Sequence, residues 1–151
     1  MNTDKKISRR EALKRMGFAV MSGAIASSGL LSLASCETKR SKRIIFYFTG
    51  TGNSLYIARQ LAGENAELLS IPQMVKRGKY EFEADEIGIV YPIYGHMPPY
   101  MVRQFIQKAK LKAEYKFAVL TYGARKCDAV EIWDRISRKA DNAFDYINTI
   151  I

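Results

Sequence analysis

Two cysteines, Cys36 and Cys127, are the only thiols in this chain of 151 residues. A zinc site or an iron–sulfur cluster draws on several such ligands, so the chain cannot build either from cysteine. The excess of positive charge is also thinner than it looks. Lys and Arg outnumber Asp and Glu by 24 to 15, but six of those cations precede Cys36, opposed by Asp4 and Glu11 alone. Lys39, Arg40, Lys42 and Arg43 then face only Glu37. About +2 of the total +9 is left for the rest, which is no nucleic-acid footprint. No lysine stands between Thr49 and Arg59, which excludes the Gly-Lys-Ser/Thr of a nucleoside-triphosphate loop. Leu55 occupies the position where a dinucleotide fingerprint needs a third small residue. The length allows one domain.

What is present in that stretch is an order of residues suited to gripping a phosphate. Residues 44–48 (Ile-Ile-Phe-Tyr-Phe) read as a buried strand that stops abruptly at Thr49. Leu55, Ala58, Leu61 and Ala62 then recur at helical spacing until Gly63 supplies a stop. Gly50 and Gly52 let the backbone approach a ligand without Cβ interference. The first turn of the helix aims unpaired N–H groups and partial positive charge at the loop, and Thr49, Thr51, Asn53 and Ser54 add side-chain donors. With both nucleotide patterns excluded, the pattern suits a single phosphomonoester held by hydroxyls and amides. The plainer alternative is a strand–turn–helix with no ligand.

Two later segments weigh on that choice. Residues 87–92 (Ile-Gly-Ile-Val-Tyr-Pro) form a second buried run, followed by Ile93, Tyr94, Gly95 and His96. Residues 117–121 (Phe-Ala-Val-Leu-Thr) form a third, followed by Tyr122 and Gly123. Each run releases an aromatic residue and a glycine at its carboxyl end, the edge where open parallel sheets bind ligands.

Together the three segments resemble the flavodoxin family over roughly residues 43–151. The likeness is greatest to the flavodoxin part of bacterial flavodoxin–ferredoxin fusion proteins. It implies an α/β fold with a doubly wound parallel sheet in the order 2-1-3-4-5, and FMN as cofactor. On this resemblance Thr49, Gly50, Thr51, Gly52, Asn53 and Ser54 surround the phosphate. Tyr94, Gly95, His96, Thr121, Tyr122 and Gly123 hold the isoalloxazine ring, with Tyr94 and Tyr122 flanking it. Ser54 replaces a more usual threonine and keeps the hydroxyl. Aromatic walls would disfavour the anionic reduced flavin by desolvation. Gly95 would let its peptide reorient toward the flavin N5–H. His96 either donates near the ring or is simply solvated.

The first residues carry a different message. Ser8-Arg-Arg-Glu-Ala-Leu-Lys14 resembles the twin-arginine export signal, with Ala12 in place of phenylalanine. No charge appears between Arg15 and Glu37, and the intervening stretch is mildly apolar and rich in glycine, serine and alanine. About twenty apolar residues could span a bilayer, but that composition and the basic start favour a cleavable signal. Leu33-Ala-Ser-Cys36 resembles a lipobox, which implies a diacylglyceryl thioether on Cys36. The expected organisation is a signal at 1–35, a lipid-anchored tether at 36–43 and the folded domain at 44–151. An uncleaved signal-anchor is the alternative. The tether cations sit near anionic headgroups or are solvated. With Cys36 lipidated, Cys127 is the one thiol left; it is expected to be packed.

The remaining elements follow from pattern. Residues 67–71 read as a short strand, and 72–85 as a loop or one helical turn anchored by Met74 and Val75. Met101, Val102, Phe105 and Ile106 form the stripe of an amphipathic helix after Pro98 and Pro99. Val130, Trp133, Ile136 and Ala140 form another, with Asp128 placed to cap its start. Residues 144–151 are the fifth strand candidate. A complete flavodoxin fold continues with a helix over the first and third strands. Without it, branched side chains on one sheet face would meet water, each forfeiting roughly 1.5–3 kcal/mol.

The leading expectation is an FMN-binding electron-transfer protein, exported by the twin-arginine route and lipid-anchored on the outer side of the cytoplasmic membrane. Its partner would be a redox protein, such as an iron–sulfur protein, since the four-cysteine ferredoxin segment of the fusion relatives is absent. One alternative is an FMN-dependent NAD(P)H or quinone reductase, although no separate nicotinamide site is visible. Another is a truncated, flavin-free fragment or interaction module.

Overall fold

The computed structural model describes residues 42–151. The expected signal, Cys36 and the expected tether up to Ser41 lie outside the described residues. Strand β1 (Arg43–Tyr47) leads into helix α1 (Asn53–Ala62), then β2 (Ala66–Ser70) and α2 (Ile71–Arg77). A short β3 (Glu81–Glu83) precedes β4 (Glu86–Pro92) and α3 (Tyr100–Lys108). Then come β5 (Lys110–Lys112), β6 (Tyr115–Thr121), α4 (Ala129–Lys139) and β7 (Tyr146–Ile150).

Five of these strands form one parallel sheet in the order β2-β1-β4-β6-β7. Leaving aside β3 and β5, which pair with each other, this is the 2-1-3-4-5 order expected from the sequence. The register fixes which side chains share a face: Ile45 lies beside Gly88 and Leu68, Gly88 beside Phe117, and Phe117 beside Tyr146. Strand side chains alternate between faces, so the neighbours Ile44, Phe46, Ile87, Ile89, Ala118 and Leu120 point the other way.

That second face is the main core. It meets Met74 of α2, Val102, Phe105 and Ile106 of α3, and Ala129 and Trp133 of α4, all buried. Aromatic rings knit it together: Phe46 meets Phe82 edge-on at 4.7 Å, and Trp133 lies 5.0 Å from Tyr91 and 5.3 Å from Phe144. Asn142 closes the far end of this core. Its amide nitrogen reaches the carbonyls of Ala109 and Ala140 at 2.8 Å, and its Oδ1 accepts the Leu111 N–H at 3.2 Å. A buried amide with every group partnered specifies geometry rather than costing stability.

The opposite face carries α1 alone among the described helices. Ala58 and Ala62, one turn apart, seat it on Ile45 and Val90. Beyond α1 the sheet covers itself. The Phe117 ring folds over Gly88, in the space a Cβ there would need, and Tyr115 stacks on Phe117 at 6.1 Å. Tyr115, Tyr146 and Ile150 remain 41%, 49% and 41% exposed.

Four expectations need correction. Residues 72–85 hold more than a helical turn: α2 spans Ile71–Arg77 and β3 follows at Glu81–Glu83. Pro72 fits a first helical turn, Ile71 and Met74 bury completely or nearly so, and the Lys79 N–H returns to the Met74 carbonyl at 3.0 Å. So few apolar anchors set no readable period. The α3 stripe is Val102, Phe105 and Ile106, with Met101 exposed. The α4 stripe keeps Trp133, with Ile136 partly buried against the core, but its other buried members are Ala129, Ile132 and Ser137 rather than Val130 and Ala140. Asp128 does stand at the N-cap of α4 but makes no side-chain cap.

Candidate functional site

Three loops leave the carboxyl ends of β1, β4 and β6 on the same edge of the sheet. After β1 the chain turns through Thr49–Gly52, a bend closed by the Gly52 N–H donating to Thr49 Oγ1 at 2.9 Å. Gly52 has φ 100°, a left-handed backbone that glycine adopts without strain. The first helical bond of α1 runs from the Tyr56 N–H to the Gly52 carbonyl at 2.9 Å. The N–H groups of Asn53, Ser54 and Leu55 therefore have no partner within the helix. No acidic residue sits in that first turn to oppose an anion.

The second loop is a rigid hook. The Ile93 N–H donates to the Thr121 carbonyl at 2.8 Å, and Tyr94 and Met97 exchange backbone bonds of 3.0 and 3.1 Å. Gly95 and His96 fill the two central positions with φ of 54° and 71°. Positive φ at both is the signature of a primed two-residue turn. His96 Nδ1 lies 3.2 Å from Asp128 Oδ1, so the carboxylate expected to cap α4 reaches across to the hook instead.

The third loop starts at Thr121, which is buried, with its Oγ1 2.8 Å from Ser54 Oγ. The Tyr122 N–H donates to the Ile150 carbonyl at 3.0 Å. Cys127, expected to be packed, is exposed, with φ 45°. A left-handed turn there swings the side chain out before α4 begins.

Between the loops lies a cavity of about 540 Å³, within the usual range for small-molecule sites. It brings together eight of the twelve site residues expected from sequence: Gly50, Thr51, Asn53 and Ser54 on one side, Tyr94, Thr121, Tyr122 and Gly123 on the other. Thr49, Gly52, Gly95 and His96 shape the loops without lining it. Tyr56, Ile57, Pro92, Ile93 and Ile151 line it although sequence reasoning passed over them. Tyr56 and Ile57 had a signal: they lie three and four residues after Asn53, on the same helix face. Among the described residues no lysine or arginine side chain borders the cavity. Among the described residues no group of three His, Cys, Asp or Glu side chains could hold a metal.

Just below, on the main-core face of β4, Tyr91 is buried and its hydroxyl has no hydrogen-bond partner. Burial pushes its phenol well above the ordinary tyrosine range, so it stays neutral.

No family model matches the chain, and no curated protein matches it. Solved structures do. A flavoprotein in complex with FMN from Lactobacillus acidophilus is 12% identical, with a TM-score of 0.53 over 72% of this chain and 93% of that one. A Bacteroides eggerthii protein assigned as a flavoprotein is 17% identical, with a TM-score of 0.56 over 73% and 88%. The Trp repressor binding protein of Bacillus subtilis is 12% identical, with a TM-score of 0.51 over 72% and 83%. At such identities the likeness establishes the fold, which is flavodoxin-like α/β.

Proposed function

We propose that this chain binds FMN at the carboxyl edge of its sheet and serves as an electron-transfer flavoprotein. The observation that carries this reading is the convergence of three separate loops on one uncharged cavity, with the amino end of α1 opening into it. The donor set fits a phosphomonoester: free helix amides and the Thr51 hydroxyl offer hydrogen bonds, and no fixed anion competes. The Tyr122 side supplies an apolar wall suited to a flat ring.

When bound, the flavin supplies the one- and two-electron chemistry. The protein's residues bind and orient it. The α1 amides fix the phosphate end, the Tyr94–Met97 hook sets the height of the second loop, and Thr121 holds the third against α1 through Ser54. Pro92 and Ile93 add apolar lining that would exclude water beside a bound flavin. That desolvation raises the free energy of any added negative charge there.

The cellular setting is part of the proposal. The twin-arginine-like Ser8–Lys14 stretch and the lipobox-like residues before Cys36 support export of the folded flavoprotein and a lipid anchor on Cys36. An iron–sulfur protein fits as redox partner, as the resemblance to flavodoxin–ferredoxin fusion proteins implies.

Titration of the purified domain with FMN tests the cofactor reading. Expected are quenching of flavin fluorescence, saturation at one equivalent and a yellow protein after desalting. Colourless protein that takes up no added FMN overturns it. For the anchor, Cys36→Ala should move the protein from the membrane to the soluble fraction and abolish labelling by a radioactive fatty acid.

A further inference from the structure

The Tyr94 side chain does not simply stand beside the cavity. Its hydroxyl oxygen lies 2.5 Å, and its Cζ 3.8 Å, from the point where a Cβ on Gly50 would be. The phenol tip therefore rests on the backbone of the β1–α1 loop, and only glycine at position 50 leaves room for it. The Tyr94–Met97 hook, tied through Ile93 to Thr121, aims the ring there from across the cavity.

The loop it meets has already engaged two of its polar groups. The Gly52 N–H is taken by Thr49 Oγ1, and the Ser54 hydroxyl is paired with Thr121. Among the described residues no cationic side chain borders the cavity to replace them. A phenolic O–H can donate, and Tyr94 is half exposed and lines the cavity.

We propose that the Tyr94 hydroxyl is a phosphate-side ligand: it donates to a phosphoryl oxygen of the bound flavin and makes the site selective for the phosphorylated form. This assigns to Tyr94 a different task from the ring-flanking role that the family resemblance implies, and leaves the aromatic wall to Tyr122. It rests on the FMN reading above. A hydrogen bond to a charged oxygen changes affinity by about ten- to a hundredfold.

The test is parallel fluorescence titration of FMN and riboflavin into the wild-type protein, Tyr94→Phe and Gly50→Ala, with thermal unfolding of each as a folding control. Tyr94→Phe should weaken FMN about ten- to a hundredfold and leave riboflavin within about twofold, because the ring is kept and only the donor is lost. Gly50→Ala should show the same selective loss, through displacement of the phenol. Unchanged FMN affinity in Tyr94→Phe, or equal losses for both flavins, overturns the assignment while leaving the FMN site standing. Wild-type protein that binds neither flavin removes both.

Discussion

The hydroxyls of Ser54 and Thr121 meet at 2.8 Å in the buried seam between α1 and the end of β6. They lie 67 residues apart in the chain, and their bond joins the phosphate loop to the third cavity loop. Either residue alone would be a buried polar group in need of a partner. Together they satisfy each other and fix the width of the site.

Removing both partners should therefore cost less than the two single removals added together. Ser54→Ala or Thr121→Val alone should destabilise by about 1–3 kcal/mol, since each orphans a buried hydroxyl. The double variant should lose less than the sum, a coupling measurable by urea unfolding in a double-mutant cycle.

Tyr91 gives a pH prediction of definite sign. Burial raises its pKa well above the ordinary tyrosine value of about 10. The unfolded chain can then ionise at a pH where the folded one cannot. Stability from this group is fully present below pH 10 and falls as pH rises beyond it. Tyr91→Phe should flatten that alkaline loss. It should also raise stability at neutral pH, because it removes a buried hydroxyl with no partner. Unfolding midpoints at pH 7 and pH 10.5 would decide both points.

Gly88→Ala places a methyl group inside the Phe117 ring. Overpacking of this kind costs about 1–3 kcal/mol, and chemical denaturation should show it. Adding Phe117→Leu should restore part of the loss by freeing the space.

Cys127 should react with a disulfide reagent such as DTNB in the native protein at close to the rate of a free thiol, since it is exposed. A Cys36→Ser background leaves it as the only thiol to count. Protection until unfolding would contradict the exposed position.

The framework was legible because it rests on local signals. The apolar runs of β1, β4 and β6 end at Thr49, Pro92 and Thr121 with glycine nearby, and such runs, joined by helices, can hardly form anything but a parallel sheet. What was not legible depends on partners distant in sequence. Two short strands, β3 and β5, exist only because Phe82 and Leu111 pair beneath Phe46. Asp128 carries the composition of a helix cap, yet His96 draws its carboxylate away. Cys127 turns outward because of a backbone angle that its residue type disfavours. Within the site, the glycines and hydroxyls announced themselves, whereas Tyr94 lying on Gly50 emerges only when two loops are brought face to face.

Asn142 has a consequence for how this molecule breathes. One amide side chain clasps the end of α3, the start of the β3–β5 ribbon and the turn after α4. None of these can fray without releasing the other two, so they should open as one cooperative unit. A backbone amide at Leu111, on a strand that looks too short to hold itself shut, should exchange with solvent deuterium as slowly as its neighbours in the deep interior.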